Sequence, residues 1–162
     1  MLKLIGITLV SVAISMYGAY LSSRIKDRKN VRSALLELLV HIKTSIETTC
    51  LPLEEIYKSF SNKILEKIGF TKELCSGKND SFLSAIHIAD SYLNKKLTEL
   101  YSALSFSLGK SYSGNTEVQK LAGYILLIEE ECKKLSKEDD SKIELYRRLG
   151  LLCGLFAAVI LL

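Results

Sequence analysis

The chain changes texture twice along its length. From Leu4 to Ser23 no side chain is charged, and the same is true from Leu149 to Leu162, whereas the stretch between them is rich in Lys and Glu. A helix needs about 20 apolar residues to cross a hydrocarbon core, a length that the first run supplies and the second falls short of. The expected division is residues 1–23 as an N-terminal transmembrane helix, 24–148 as a cytosolic helical bundle, and 149–162 as a short C-terminal transmembrane helix. The first run has a rival reading as a cleaved signal peptide, with Lys3 as a short basic start and small residues near Tyr17-Gly18-Ala19. Its apolar part exceeds the roughly 7 to 15 residues usual in such peptides, and the basic residues behind it would oppose export. The second run has a rival reading as a core or interfacial helix. It has no polar face, however, and Tyr146 suits headgroup depth while Arg147 and Arg148 reach outward and local thinning absorbs mismatch.

Between the two runs the apolar positions recur with helical period. Leu35, Leu38, Leu39, Ile42 and Ile46 share a face opposite Glu37, Lys43, Thr44 and Glu47, and no breaker separates them from the first run, so one helix should continue until Pro52. Proline fits a helix start, so a second helix begins there with Leu53, Ile56, Tyr57 and Phe60 inward. A third, from about Asn62 to Cys75, turns Ile64, Leu65 and Ile68 inward, although Gly69 weakens it and can divide it. Residues Ser76 to Asp80 form a loop by composition, and Asp80 is placed to cap a helix carrying Phe82, Ala85, Ile86, Ala89 and Leu93. Leu97, Leu100, Leu104 and Leu108 keep the spacing, which leaves open whether 81–112 is one helix or two broken at Asn94-Lys95-Lys96. After the connector Ser113-Gly114-Asn115, Thr116 and Gln119 have capping-box spacing. Val118, Leu121, Ile125, Ile128, Cys132 and Leu135 then alternate as a packing seam. The seam fades at Lys137-Glu138-Asp139-Asp140, a solvated stretch or a bend. The fold class expected is all-α, an antiparallel bundle of about five to six helices flanked by N- and C-terminal transmembrane helices.

The net charge of +4 is mostly local. Arg24, Lys26, Arg28, Lys29 and Arg32 follow the first apolar run, and Arg147 and Arg148 precede the second. Basic residues next to apolar runs mark the cytosolic face and meet anionic headgroups there, so both termini are expected outside and the middle in the cytosol. No aromatic side chains interleave the basic ones, which argues against a nucleic-acid surface. Gly150 and Gly154 form a small-x-x-x-small pair, and Ser11, Ser15 and Ala19 repeat that spacing in the first run. These are candidate packing surfaces for each other or for other subunits.

Signatures of chemistry are missing from the sequence. Cys50, Cys75, Cys132 and Cys153 are scattered and read as small buried hydrophobes. His41 and His87 lack metal-ligand partners at the required spacing, although Asp90 is placed to touch His87 on one helix face. No nucleophile elbow, phosphate loop or dinucleotide fingerprint occurs, and neighbouring carboxylates such as Glu129, Glu130 and Glu131 point different ways on a helix. The expectation is a chain that is not an enzyme, with no catalytic residue, metal or cofactor. A structural subunit comes first; a membrane-anchored regulatory or sensor protein whose bundle binds a partner or ligand is the alternative.

Several segments together resemble the stage III sporulation protein AB family of endospore-forming bacteria. They are the opening Met1 to Gly6, Arg32-Ser33-Ala34-Leu35, the turn Leu51-Pro52-Leu53, Leu108-Gly109 before Gln119, and Tyr146 to Gly154. The chain departs from the family pattern at Cys50-Leu51, where Thr is usual, and at Ser113-Gly114-Asn115, where an Asp is usual. The resemblance implies a part in the channel between mother cell and forespore, in the mother-cell membrane, beside the other stage III sporulation A proteins. It also implies a domain similar to the inner-membrane platform of type II secretion and type IV pilus systems, which meets a motor ATPase. The polar faces around Glu54, Glu55, Glu129, Glu130 and Glu131 are then candidate contacts for such a partner.

Overall fold

The computed structural model describes the backbone of residues 2–49, 51–77, 80–108 and 115–161, with side chains described for 6–48, 51–77, 80–108 and 119–160. Every regular element among them is helical: α1 (Leu2–Thr49), α2 (Leu53–Ser59), α3 (Lys63–Lys67), α4 (Phe70–Leu74), α5 (Ser81–Ala89), a 3₁₀ turn (Asp90–Tyr92), α6 (Lys95–Leu108) and α7 (Asn115–Leu161). The all-α expectation holds. Two compact units share these helices, one made of 1–29 with 135–162 and the other of 30–134.

The 30–134 unit is a bundle whose core follows the apolar periodicity. Leu35, Leu38, Leu39 and Ile42 of α1 are fully buried, as are Ile56 of α2, Leu65 of α3, Ala85, Ile86 and Ala89 of α5, and Leu97 and Leu104 of α6. On α7 the seam closes at Leu121, Ile125 and Ile128, while Cys132 and Leu135 are half-buried. Three positions depart from the sequence reading. Ile64 is exposed, and the inward side chains that follow it are Leu65, Phe70 and Leu74, because α3 is too short to sustain a face and a fresh helix restarts the period. On α6 the buried stripe runs through Tyr101, with Leu100 half-exposed, since a step of three followed by four holds a face that successive fours would leave.

The breaks have local causes. Gly69 adopts φ +80°, a left-handed conformation open to glycine at little cost, and it separates α3 from α4. Asn62 starts α3 by accepting from the backbone N–H groups of Ile64 at 2.9 Å and Leu65 at 3.4 Å. Between α5 and α6 the chain turns extended at Leu93, and the Asn94 side chain accepts from the Leu97 N–H at 2.8 Å. The segment 81–108 is therefore two helices joined by a 3₁₀ turn. Pro52, with φ −60°, stands immediately before the first residue of α2, and its carbonyl accepts the first helical bonds from Glu55 and Ile56. Asp80 holds the corresponding position before α5 without a side-chain capping bond. Residues 113 and 114 of the expected connector lie outside the described residues, as do Cys50, Gly109 and the side chain of Thr116. The acidic stretch Lys137 to Asp140 neither ends nor interrupts α7. Its charges sit on a helix supported by pairs one turn apart, including Lys142 with Glu138 at 3.9 Å.

Side-chain bonds fasten α1 to the short helices. The Asn62 amide donates to Glu37 at 3.0 Å, and His41 Nε2 lies 2.9 Å from Ser59 Oγ with its ring tilted against Phe60. His41 is thus part of the packing. The fully buried Leu38 lies at the centre of this unit's α1 stripe, so Leu38→Ala should lower the unfolding free energy by about 2 to 5 kcal/mol. Urea denaturation followed by circular dichroism checks this, and a loss within measurement error would show that the position is not core.

Candidate functional site

In the unit formed by 1–29 and 135–162, α1 and α7 run antiparallel and approach until backbone meets backbone. A Cβ added at Gly18 would come within 2.7 Å of Gly150 Cα and 2.8 Å of the Tyr146 carbonyl oxygen, and one added at Gly150 within 2.9 Å of Gly18 Cα. One turn further along, Gly154 lies against Ser15 and the Ser11 carbonyl, leaving no room for a side chain. Ser11 Oγ donates to the Gly154 carbonyl at 2.5 Å, and Ser15 Oγ donates to the Ser11 carbonyl at 3.0 Å. At the other end of this contact Lys29 Nζ donates to both carboxylate oxygens of Asp140, at 2.7 and 2.8 Å. Close approach of small residues and hydroxyl-to-carbonyl bonds are the forces that hold helices together where the hydrophobic effect is absent.

The structure brings Ser11, Ser15, Gly150 and Gly154 together and leaves Ala19 exposed. Gly18 takes the place that the spacing gave to Ala19. Steps of four residues drift around a helix by about 40° each, and the step of three from Ser15 to Gly18 corrects the drift. The seam on α1 thus takes a step of four and then one of three.

Outside this seam the apolar segments of the two helices are largely uncovered. Leu9, Val12, Met16, Tyr17 and Tyr20 on α1, and Leu151, Leu152, Leu155, Phe156 and Val159 on α7, are exposed. Among the described residues α1 is the one helix long and apolar enough to cross a membrane, and only 11% of that apolar stretch is buried, unlike a helix in the core of a soluble protein. The apolar part of α7 is shorter.

The basic residues collect at one end. Arg148 precedes Gly150 by two residues and Arg24 follows Gly18 by six, so at about 1.5 Å per residue both lie on the same side of the glycine contact. Arg24, Lys26, Arg28, Arg147 and Arg148 are exposed, with Arg24 stacked over the Tyr20 ring at 5.8 Å and Arg148 bonded to Glu144 on its own helix. Lys29 is held by Asp140. Arg32 belongs to the 30–134 unit and is only 7% exposed, so it leaves the exposed cluster.

The five glutamates part company. Glu54 and Glu55 are exposed in the first turn of α2, where the partial positive charge of a helix start favours them. Glu130 is exposed, and Glu129 bonds to Lys133 at 2.6 Å. Glu131 is turned inward and 7% exposed; its carboxylate accepts from Lys96 at 2.6 Å and from the Asn94 amide at 3.2 Å. Asn94 therefore ties α6 to α7 through its amide while its oxygen caps α6. The Lys96 bond, opposed by burial and helped by Asn94, holds the pKa of Glu131 below the usual carboxylate value, and the same bond raises the pKa of Lys96 above that of a free lysine. Burial pushes the neighbouring Cys132 thiol up to about 11 against the pull of Arg32, which leaves it protonated and unreactive near neutrality. His87 Nδ1 lies 3.2 Å from Asp90 on an exposed surface. No group of three or more His, Cys, Asp or Glu among the described residues is placed to hold a metal ion.

A side chain larger than hydrogen at the glycine contact should force the helices apart. Gly150→Val is expected to cost about 1 to 3 kcal/mol, read as a lower melting temperature of the full chain in detergent, while Ala19→Leu on the exposed side should change it little; equal effects would contradict the packing. The Glu131 carboxylate is more acidic in the folded state than in the unfolded chain. It thus contributes stability fully present above pH about 4.5 and lost as pH falls through its lowered value. Glu131→Gln should flatten the acid limb of the melting-temperature profile relative to the unsubstituted chain; parallel profiles below pH about 4.5 would show that the Lys96 bond contributes nothing.

The model of the stage III sporulation protein AB family matches residues 3–162. No curated protein and no solved structure matches the chain. The chain belongs to the stage III sporulation protein AB family.

Proposed function

We propose, from that membership, that the chain is a non-enzymatic structural subunit of the secretion-like sporulation channel between mother cell and forespore. It stands in the mother-cell membrane as a platform for the other stage III sporulation A proteins. The apolar hairpin of α1 and α7 is the membrane anchor, and the bundle of residues 30–134 is the cytosolic part that meets a motor ATPase. The observation that carries this reading is the placement of the basic residues. Arg24, Lys26 and Arg28 on one arm and Arg147 and Arg148 on the other lie on the same side of the glycine contact, next to the apolar segments of the two helices. Two arms inserted from the cytosol would present their basic ends to one anionic surface, as the positive-inside rule requires.

The role follows from the division of labour in the sequence. Lipid replaces water around the outward leucines, valines and aromatics, and the small-residue seam keeps the two arms together without a hydrophobic driving force. The bundle is well packed, and in this reading it supplies surface rather than chemistry. Topology is tested in a cysteine-free background carrying Ser33→Cys or a cysteine added after Leu162. Ser33 is exposed on α1. In intact sporulating cells a membrane-impermeant maleimide should label the C-terminal cysteine and spare Ser33→Cys until the membrane is permeabilised. Labelling at residue 33 in intact cells would overturn the cytosolic assignment. Detergent extraction should bring an ATPase or channel subunit with the chain; recovery of the chain alone with a tightly held small molecule would favour a regulatory role instead.

A further inference from the structure

The outward face of α7 in the 30–134 unit carries an adjacent apolar pair that the core does not use. Leu126 is 66% and Leu127 52% exposed. Among the described large apolar side chains of this unit Val40, Leu51, Ile64, Ile88 and Phe106 are exposed as well, but none of these is next to another in the chain. A single exposed apolar residue is ordinary, whereas an adjacent pair on a helix that has already buried its seam calls for a cover. The surroundings of the pair are specific. At about 100° per residue, Gln119, Gly123, Glu130 and Lys134 share its side of the helix, with Lys120 and Lys133 at its two edges; all of them are exposed. Gly123 adds no side chain, so the backbone beside Leu126 is open to close approach. Of the nearby carboxylates, Glu131 is turned inward onto Lys96 and Glu129 is taken by Lys133. Lys133 is neutralised by the same pair, so the face is an apolar centre with Lys120 on one side and Lys134 on the other, and Glu130 as its remaining outward acid.

That charge pattern selects the occupant. If a second copy packed its own α7 antiparallel with the leucine pairs facing, residue n would oppose residue 253 − n, setting Lys120 against Lys133 and Gln119 against Lys134. Like charges opposed across a contact destabilise it. We propose that the Leu126–Leu127 face of α7 is a docking surface for a protein partner. That partner presents an amphipathic helix with an apolar pair flanked by Asp or Glu about two turns to either side. The leucines supply the desolvated centre, and the lysines steer and orient the partner at the rim. This goes beyond the proposed platform role by placing a contact on α7 rather than on the glutamates of α2, and it holds for any protein partner, whether or not that partner is a motor.

The test uses the full chain in detergent and two fluorescent helical peptides, each with a Leu-Leu pair, one flanked by Glu and the other by Lys. The Glu-flanked peptide should bind, with affinity falling as salt rises, and the Lys-flanked one should not. Replacing both leucines, Leu126→Ser with Leu127→Ser, should weaken binding by about tenfold or more. Lys120→Glu with Lys134→Glu should shift the preference toward the Lys-flanked peptide. Because these side chains are outside the core, the variants should keep the helical signal and melting temperature of the parent. Should the serine variant alone lose its fold, the charge-reversal variant still decides. Equal binding of both peptides, or unchanged binding by the serine variant, would overturn the proposal. So would a fall in oligomeric mass caused by the serine substitutions in analytical ultracentrifugation, which would assign the face to a second copy. Leucine-dependent flotation of the charge-reversal variant with anionic phospholipid vesicles, without discrimination between the peptides, would assign it to lipid and equally overturn the proposal.

Discussion

Two helix ends that water solvates poorly set the terms for this chain. α1 and α7 each carry an apolar segment with most of its larger side chains turned outward, and these arms bury a narrow seam of glycine and serine together with Ile7. Apolar surface left in water costs roughly 25 cal/mol per Å², and the seam removes little of it. The arms are consistent with a surrounding of lipid, where helix pairs are held by close backbone approach and by bonds such as Ser11 to Gly154. The same small residues that give up hydrophobic burial make that approach possible, and in a bilayer the sacrifice carries little cost.

The residues between the arms obey different rules. There the hydrophobic effect operates, and the leucines and isoleucines of α1, α5, α6 and α7 close over one another as in any helical bundle. The polar bonds fall where helices change direction or meet. Asn62 caps α3 and reaches Glu37, and Asn94 caps α6 and reaches Glu131. Each asparagine thus specifies a turn and a contact with one side chain. Such residues fix the arrangement of short helices whose own apolar faces are too small to do so. The Lys96–Glu131 pair adds a sheltered ionic tie between α6 and α7, with its acid side more buried than its basic side.

The sequence disclosed much of this, for physical reasons that differ from place to place. Period and composition located the long helices, because a continuous apolar stripe needs no knowledge of its neighbours. Pro52 marked a break through its fixed φ and missing N–H, and Gly69 through the left-handed conformation open to glycine. The divided segment at Asn94 was ambiguous because the apolar spacing passes through the break, and only the capping bond distinguishes two helices from one. Gly18 was missed for Ala19 because a step of four and a step of three both look like small-residue spacing until the facing helix is known. The inward turn of Glu131 was hidden as well, since three consecutive glutamates look alike until Lys96 and Asn94 arrive from another helix. Tyr101 displaced Leu100 from the core for the same reason as Gly18: one residue of helical phase.

The central claim is that the hairpin of α1 and α7 is embedded in lipid, and membrane fractionation examines it most directly. Cells expressing the full chain are broken, and the membranes are collected and washed at alkaline pH to strip proteins held only by charge or by other proteins. The chain is expected in the washed pellet and to be released by detergent. Its appearance in the high-speed supernatant before any detergent is added would contradict the claim and leave the exposed apolar arms to be covered by protein instead.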